Sequence, residues 1–491
     1  MSWRVFLTDR TQVIALKPLN LSWDAIGGPQ QALLSVENDA IGFAELQSLL
    51  ASGVEIYDPS DRLAWWGYVD RVNQPIETTE LEASLEELAN RVAVRYRSME
   101  PGKDYGAIAQ TDWKDDLTSQ ATYGIKELLL KREVLSEEQA LLLRDASLKR
   151  LAPPVSMLLP ATKTSKSQVI CRGWFERMRW RQWPVRTDIL GHSPIQQGYQ
   201  SLGASLKQKS LAQSCKFPDA VNIASISVRM RKIGAPQDQV RFQIQTDAAG
   251  QPSGTIRAEA FLLASAIPIE SYSWVSVSFA APCAVAANES LWLVVTRDGA
   301  ASTTAYFSLG LDESLGFPGG NLLLLDASLN QWRQRTPDAD LLFKLNTLSD
   351  SVELMGQVVQ SSGCFNDFSY EAGVGVSLPY VSEAGMDCQV AFLQLLSLGT
   401  PELDRLLVEV NTKRQLRVFP QPAPGSPVFW LGKDGRIKNE VAKDLEPAWQ
   451  AVGNWLTSET RTTCFLENLR LDSLAGSYQL RTNTITKRRT I

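Results

Sequence analysis

The sequence of 491 residues carries 49 basic and 54 acidic side chains, so its net charge is −5, and its hydrophobic and charged fractions of 44% and 21% are typical of globular domains. The acidic balance argues against a nucleic-acid-binding protein, and the length predicts several domains. No apolar run approaches the ~18 residues of a membrane-spanning helix, and Met1–Arg10 lacks the apolar core of a signal peptide. We therefore expect a chain that is made in a cytoplasm, is not inserted into a membrane and is not exported by the ordinary route.

Cysteine and histidine usage limits the chemistry further. His192 is the single histidine, and because a Ser-Pro pair follows it we expect it in a loop. One histidine removes most Ser-His-Asp, Cys-His and histidine-rich metal arrangements. No two cysteines form a Cys-x-x-Cys pair, so we expect buried free thiols in place of disulfides or a zinc site. The six cysteines are Cys171, Cys215, Cys283, Cys364, Cys388 and Cys464.

Recognisable catalytic motifs are missing from the sequence. It has no glycine-rich phosphate loop, no Gly-x-Ser-x-Gly elbow and no His-Glu-x-x-His motif. Adjacent carboxylates such as Glu86 and Glu87 do not face each other on a strand or a helix. We expect no catalytic residues, no metal and no cofactor. A pair of glycosidase acids that lie far apart in the chain stays open.

The first hundred residues predict short strands around one helix. Residues 41–50 carry apolar side chains at helical spacing and precede Gly53, which predicts a helix that ends there. Alternating apolar residues and polar turns predict hairpins before and after this helix. Strands are expected at 3–8, 13–16, 32–37, 54–58, 63–70, 81–88 and 92–96.

Two helices are predicted next, over 119–133 and 136–149. Ser136 and Gln139 have the spacing of a capping box, so Ser136 is expected to begin the second helix. Both segments carry apolar stripes, and packing is their expected role.

The most conspicuous local composition lies between Cys171 and Pro184, where arginines alternate with large apolar residues. We expect a strand with Arg177, Arg179 and Arg181 on one face. Such a pattern can bind single-stranded nucleic acid through phosphate contacts and stacking. We favour an amphipathic strand whose arginines are solvated or paired with carboxylates, because the chain is acidic overall.

A run of short strands with no helix extends from Asn222 to Leu345. Alternation of apolar and polar residues predicts strands with one buried face, and turns rich in Gly, Pro and Asp separate them. Strands at this spacing predict an antiparallel β-sandwich or jelly roll. We interpret residues 199–218 as the linker into this sandwich and residues 346–350 as the linker out of it.

The last part of the chain returns to mixed elements. A helix is predicted within 385–398, followed by a hairpin over 405–419 and by further strands rich in tryptophan. Lys487–Arg489 form a basic end that we expect to be solvated. The predicted fold class is mainly β with a few helices, an α+β host interrupted by the antiparallel β-sandwich.

The landmarks of the predicted sandwich follow in an order that resembles the jelly-roll modules appended to phage tail proteins and extracellular enzymes. They are Gly250–Gly254, Ile269–Phe279, Glu289–Val295, Phe317–Asn321, Trp332 and Asp340–Leu345. The resemblance implies a module that binds a glycan or a surface. The candidate rings for this binding are Tyr272, Phe317 and Trp332, in or beside turns, whereas Trp274 and Trp292 are expected in the core.

The run from Ile41 to Val72 is similar to the first β-barrel of phage tail hub proteins, including baseplate hubs and the N-terminal part of tail-associated lysins. It has a short helix, a strand ending in an Asp turn, and an aromatic-Gly-x-Val strand. The later helix and the hairpin strand Gln415–Phe419 resemble a later domain of that family. The resemblance implies a first hub β-barrel over 1–100, a helical and strand segment of the hub core over 101–215, the inserted sandwich over 216–347, and a second hub β-barrel with C-terminal strands over 348–491.

The hub resemblance implies a structural component of a bacteriophage tail tip or baseplate in the virion. It implies a homotrimeric ring that closes the tail tube and contacts neighbouring tail proteins: a distal tail or tube ring, the tape measure, and tip or fibre proteins. A host-surface glycan would be the ligand of the module, and DNA would pass only as cargo. Arg177, Arg179 and Arg181 would then face the lumen or a partner ring.

Two enzymatic alternatives stay open beside the hub. A glycan-active enzyme with an appended carbohydrate-binding module predicts a signal peptide and a placed pair of acids, and neither is visible in the sequence. A virion-associated hydrolase whose carboxylates are not yet placed is the weaker of the two.

Overall fold

This computed structural model describes residues 2–7, 11–13, 15–37, 41–99, 108–160, 166–314, 316–317, 320–423, 429–431, 437–439, 448–458, 463–473 and 477–484. The chain divides into two compact units. The split unit is assembled from residues 1–184, 351–376 and 384–491, and the sandwich unit from residues 185–350 and 377–383.

The strands before residue 185 are β1 (Arg4–Leu7), β2 (Leu16–Asp24), β3 (Gly28–Val36), β4 (Gly53–Tyr57), β5 (Leu63–Ile76), β6 (Thr79–Ser84), β7 (Arg91–Ser98), β8 (Ile108–Gln110), β9 (Lys114–Asp115), β10 (Glu127–Leu135), β11 (Val155–Pro160) and β12 (Gln168–Arg172). Those of residues 185–350 are β13 (Ile189–His192), β14 (Gly198–Leu202), β15 (Ser210–Lys216), β16 (Val221–Ile233), β17 (Gln239–Ala248), β18 (Gln251–Leu263), β19 (Ser273–Val285), β20 (Ser290–Arg297), β21 (Tyr306–Asp312), β22 (Leu322–Asp326), β23 (Gln331–Gln334), β24 (Asp340–Leu341), β25 (Phe343–Thr347) and β26 (Ser349–Asp350). The remaining strands are β27 (Asp367–Tyr370), β28 (Ser377–Leu378), β29 (Leu406–Val410), β30 (Gln415–Pro420), β31 (Phe429–Leu431), β32 (Ile437–Asn439), β33 (Trp455–Ser458), β34 (Thr463–Asp472) and β35 (Ser477–Thr484).

The α-helices are α1 (Phe43–Ser48), α2 (Leu117–Tyr123), α3 (Glu137–Leu151), α4 (Ser351–Ser362) and α5 (Cys388–Leu396), and a 3-10 helix spans Trp174–Trp180. Shorter 3-10 turns lie at Leu206–Gln208, Ala264–Ala266 and Ala448–Ala451. Among the described residues, no helix combines the length and the hydropathy that a membrane-spanning helix requires.

The largest sheet of the split unit joins segments from both ends of the chain. Its strands run β1-β4-β5-β12-β3-β2-β34-β33-β31-β32, with β6 and β11 extending from β5 and with β35 on β34. Residues alternate between buried and more exposed along β2 and β3, as a sheet with one core face requires. β2 pairs with β34 from Asn20 opposite Asp472 to Asp24 opposite Asn468. The sheet is therefore complete only when the beginning and the end of the chain are both in place.

Two smaller layers complete the split unit. One sheet runs β10-β7-β8 with β9 on β7, and α3 covers it through Ala140 and Leu148. The other sheet runs β27-β30-β29, and α4 contacts β27 and α5. The mainly β, α+β fold class predicted from the sequence is confirmed.

The sandwich unit consists of two larger antiparallel sheets that share one hydrophobic core. One sheet runs β13-β25-β16-β21-β14, with β19 on β16 and β24 on β21, and the other runs β18-β17-β20-β15-β22-β23. Phe242 and Leu293 from one sheet and Phe307 and Phe343 from the other are fully buried in that core. Residues 377–383 belong to this unit because Asp188 accepts a hydrogen bond from the backbone N–H of Tyr380 at 2.7 Å.

The sandwich begins earlier in the chain than the sequence indicated. The stretch 199–218 was interpreted as a linker, but β14 pairs with β21 and β15 lies between β20 and β22. Leu211 and Cys215 of β15 are buried in the core, and Gln213 beside them donates a hydrogen bond to Asp340 at 3.2 Å. The linker interpretation is wrong because the polar residues of β15 concealed its alternating pattern.

One of the two predicted helices is largely a strand. α3 begins as predicted: the hydroxyl of Ser136 accepts from the backbone N–H of Gln139, and the Gln139 side chain accepts from the backbone N–H of Ser136. The segment 119–133 forms a helix only as far as Tyr123, where Gly124 adopts a φ of 83°. The residues that follow pair in parallel with β7 as β10. Tertiary pairing overrides their local helix propensity here.

Candidate functional site

The three predicted arginines do not lie on one face of a strand. Residues 174–180 form a 3-10 helix, which repeats every three residues, so Trp174, Arg177 and Trp180 stack along one side. The Arg177 guanidinium lies 4.4 Å from the centre of the Trp180 ring and 5.5 Å from that of Trp174. These cation–π contacts favour the three-residue repeat over the alternation of a strand. The strand prediction is therefore wrong.

Each arginine has a different environment. Arg181 is largely buried, and its Nε lies 3.0 Å from Glu127, which also lies 3.3 Å from Arg91. Arg179 is 60% exposed and pairs with Glu176 at 3.3 Å. Arg177 is half-buried among rings and donates to the backbone carbonyl of Tyr123. Arg181 therefore stabilises the fold through its ion pair with Glu127, whereas Arg179 lies at the surface and Arg177 lines a cleft.

This cleft, which we call the arginine cleft, has a volume of about 540 Å³ and lies within the split unit. Glu55 and Trp66 stand directly opposite each other on β4 and β5 and form one wall. Trp174 and Arg177 of the 3-10 helix form another wall, and Arg414, from the turn between β29 and β30, completes it. Hydroxyl groups also line the cleft, at Ser52, Thr122 and Thr412.

Local geometry fixes the position of Arg414. The Asn411 side chain accepts hydrogen bonds from the backbone N–H groups of Lys413 and Gln415, both at 3.0 Å, and this holds the turn closed. Arg414 itself has a φ of 57°. Its guanidinium lies 5.2 Å from the centre of the Trp174 ring, the same ring that Arg177 contacts. One indole therefore holds two cations.

Two further contacts join the walls of the arginine cleft. Trp66 Nε1 donates to the carbonyl of Val410 at 3.0 Å, which ties β5 to β29. A Cβ atom at position 124 would lie 2.7 Å from the Arg177 guanidinium. The backbone at Gly124 also has a positive φ, which a residue with a Cβ rarely adopts. A glycine there lets the guanidinium reach the Tyr123 carbonyl.

The electrostatics of the arginine cleft are those of an anion site. Burial lowers the pKa of the Arg177 guanidinium, and the positive charge of Arg414 acts in the same direction. An acidic wall residue, Glu55, accepts a hydrogen bond from the Tyr57 hydroxyl at 2.9 Å. In the described part of the chain, neither Arg177 nor Arg414 forms an ion pair, so the cleft carries one net positive charge from these three side chains.

The three aromatic candidates of the sandwich lie in separate places. Trp332 of β23 is half-buried on the outer face of its sheet, against Trp292 and Leu323. Tyr272 donates to or accepts from Ser308 at 2.6 Å, on the outer face of the other sheet. Phe317 packs edge-on against the core, with its centre 5.3 Å from that of the Phe343 ring. The structure does not assemble them into one platform.

The two tryptophans expected in the sandwich core differ from each other. Trp292 is buried, and its Nε1 donates to Asp247 at 2.7 Å. Trp274 is only half-buried on an outer face, where the Lys344 amine lies 4.3 Å from the centre of its ring. The prediction that both tryptophans are buried is therefore confirmed for Trp292 and wrong for Trp274.

His192 is the last residue of β13 and not a loop residue as expected. Its Nε2 donates to Asp312 at 2.6 Å, and Asp340 completes a group whose possible metal-ligand atoms lie within 4.8 Å of one another. Each carboxylate already accepts hydrogen bonds from the protein: Asp312 from Ser314, and Asp340 from Gln213. The cluster therefore anchors the segment after β21, with its oxygens engaged by protein donors.

The pKa values of the two carboxylates move in opposite directions. Burial of Asp312 opposes its ionisation, but hydrogen bonds from Ser314, His192 and the backbone outweigh that effect and hold its pKa at about 2. Burial raises the pKa of Asp340 above its ordinary value, and hydrogen bonds only partly offset the rise. Asp312 is therefore the firmly ionised member of the pair.

Sequence reasoning found Arg177 but missed the other walls of the arginine cleft. Glu55, Trp66, Trp174 and Arg414 come from segments that are far apart in the sequence, and no local motif joins them. The prediction of buried free thiols is confirmed for five of the six cysteines, whereas Cys464 is free but only half-buried. No protein-family model matches the sequence, and no curated protein matches it significantly.

Proposed function

We propose that the chain is a structural component of a bacteriophage tail tip or baseplate, a hub that joins the tail tube to the tip. The proposal places it in the virion after synthesis in the host cytoplasm. Its sandwich unit would bind a glycan or another feature of the host surface. Its partners would be two further copies of the same chain in a ring, together with the neighbouring tube, tape-measure and tip or fibre proteins.

The observation that carries this proposal is the interrupted architecture. The split unit closes its main sheet by pairing Asn20–Asp24 with Asn468–Asp472. The sandwich unit intervenes in the chain and has a hydrophobic core of its own. This is the arrangement expected of a host protein that carries a separately folded module, and it fits a hub that displays a binding domain.

The structure changes the weight given to the individual candidate residues. Of the three sandwich aromatics, Trp332 is the best candidate for a glycan platform, because Phe317 packs on the core and the Tyr272 hydroxyl is engaged by Ser308. Of the three arginines, Arg179 is the exposed one and keeps the role proposed at the lumen or a partner ring.

Analysis of purified virions and of the purified chain tests this proposal. Mass spectrometry should find the chain in tailed particles, and an antibody against it should label the tip end of the tail by electron microscopy. Light scattering should give three times the 54.3 kDa chain mass, or electron microscopy a ring of that size. Absence of the chain from purified particles would overturn the assignment. Release of reducing sugar from a panel of bacterial polysaccharides would favour the enzymatic alternative.

A further inference from the structure

We propose that the arginine cleft binds an acidic sugar, a pyranose ring that carries a carboxylate. The proposal concerns the split unit, whereas the proposed surface-binding role concerns the sandwich unit. It holds for either a tail protein or an enzyme.

Two guanidinium groups of the arginine cleft lack a carboxylate partner among the described residues. Arg177 and Arg414 share the Trp174 ring, at 5.5 and 5.2 Å from its centre, and among the described residues neither has a carboxylate partner. A half-buried cation is normally paired, because burial without a counter-ion is costly. Two neighbouring guanidinium groups repel each other unless an anion lies between or beside them. An oxyanion in the cleft would supply that missing charge.

The number of charged side chains in the cleft distinguishes between possible anions. Glu55 lines the same cleft as the two arginines, so the three side chains sum to one positive charge. A monovalent carboxylate balances this charge, whereas a phosphate dianion would exceed it and would meet repulsion from Glu55. The charge count therefore favours a carboxylate over a phosphate.

The shape and chemistry of the cleft walls suit a sugar ring. The half-buried indole of Trp66 offers flat apolar surface of the kind that stacks against a sugar ring, whereas the Trp174 ring already contacts the two guanidinium groups. Glu55 and the hydroxyl groups of Ser52 and Thr412 offer acceptors and donors for ring hydroxyls. The volume of about 540 Å³ lies within the range of about 300–1,000 Å³ typical of small-molecule sites. A monosaccharide or the end of an acidic polysaccharide fits these walls.

The test titrates the full-length chain with D-glucuronate and D-galacturonate, with D-glucose as the uncharged analogue, with tetragalacturonate as the polymer end, and with inorganic phosphate. Calorimetry measures affinity, and tryptophan fluorescence reports contact with the indoles. We expect saturable binding of glucuronate or tetragalacturonate, a change in tryptophan emission, and no measurable binding of glucose. Tighter binding of tetragalacturonate than of its own monomer, D-galacturonate, would identify a polysaccharide as the source of the sugar.

A pair of matched variants ties the binding to the arginine cleft. Arg414→Gln should weaken binding of the acidic sugar about 10- to 100-fold, because it removes one charge-assisted contact. Lys413→Gln removes the same charge from the neighbouring exposed residue and should leave the affinity unchanged. Circular dichroism confirms that both variants are folded. Absence of saturable sugar binding, equal binding of glucose, phosphate binding as tight as that of the sugars, or equal affinities of the two variants would overturn the proposal.

Discussion

Asp312 offers the sharpest test of how the sandwich unit is held together. Its side chain is 1% exposed and accepts hydrogen bonds from Ser314 N at 2.9 Å, Ser314 Oγ at 2.6 Å, Gly316 N at 3.3 Å and His192 Nε2 at 2.6 Å. All four partners are donors, so the site suits a carboxylate, which only accepts. Asp312→Asn keeps the shape but turns an N–H₂ group toward at least one donor.

The expected cost follows from the shifted pKa. The pKa of Asp312 is about 2 in the folded chain and 3.8 in its ordinary state, so ionisation stabilises the fold by about 2 kcal/mol at neutral pH. A donor that is left unsatisfied in the variant adds about 1–3 kcal/mol. We expect Asp312→Asn to destabilise the sandwich unit by about 3–5 kcal/mol in total.

Hydrogen exchange is the appropriate assay, because a chain of two units need not unfold in one step. Amides of β20 and β21 that exchange through opening of the sandwich should exchange roughly 100- to 4,000-fold faster in the variant, since about 1.4 kcal/mol corresponds to a factor of ten. Asp219→Asn, at an exposed carboxylate of the same unit, should leave these rates within about threefold.

The pH dependence gives an independent check. The folded pKa lies below the unfolded value, so the stabilising contribution of Asp312 is fully present above about pH 4 and is lost as the pH falls from 3.8 toward about 2. The stability difference between wild type and Asp312→Asn should therefore shrink over that window. A difference that stays constant from neutral pH to pH 2, or equal exchange rates in Asp312→Asn and Asp219→Asn, would refute the reasoning.

Three further outcomes are expected. Arg181→Gln should destabilise the split unit by about 1–3 kcal/mol in urea denaturation, because Glu127 loses one charged partner. Arg179→Gln removes an exposed ion pair with Glu176 and a hydrogen bond to Gln389, so it should destabilise the unit less than Arg181→Gln does. Equal effects would contradict the assigned roles. Trp332→Ala should weaken adsorption of particles to host cells without altering assembly, and Leu329→Ala at an exposed neighbour should not; unchanged adsorption would remove Trp332 as a platform. Native protein should react slowly with a thiol reagent, because burial raises the pKa of every cysteine thiol, and fast labelling of more than one thiol would contradict this.

The parts of the fold that the sequence predicted are those set by local signals. β17, for example, alternates apolar and polar residues along Val240–Gln245 because Val240, Phe242 and Ile244 lie on the core. α3 begins at Ser136 because its capping box satisfies backbone N–H groups within a single turn. These features need no knowledge of distant residues, so one sequence suffices to predict them.

The incorrect predictions share the opposite cause. The segment Glu127–Leu135 has helix-forming residues, yet it is a strand because β7 offers backbone partners that only the fold brings near. β15 has too many polar residues to show a strand pattern. Gln213 is nevertheless fully buried, because its side chain donates a hydrogen bond to Asp340 and accepts one from the backbone N–H of Leu341. In each case a partner far along the chain decides the local structure.

The same reasoning explains why a basic stretch in an acidic chain does not make a nucleic-acid surface. Binding along a phosphate backbone needs several cations on one exposed face. The 3-10 helix turns Arg177 into the split unit, while Arg181 is paired with Glu127 and Arg179 with Glu176. Of the three arginines, Arg177 is the one without a carboxylate partner among the described residues, and Arg414 contacts the same Trp174 ring. Two cations converging in one cleft suit a single small anion, which a strand of alternating arginines would not have predicted.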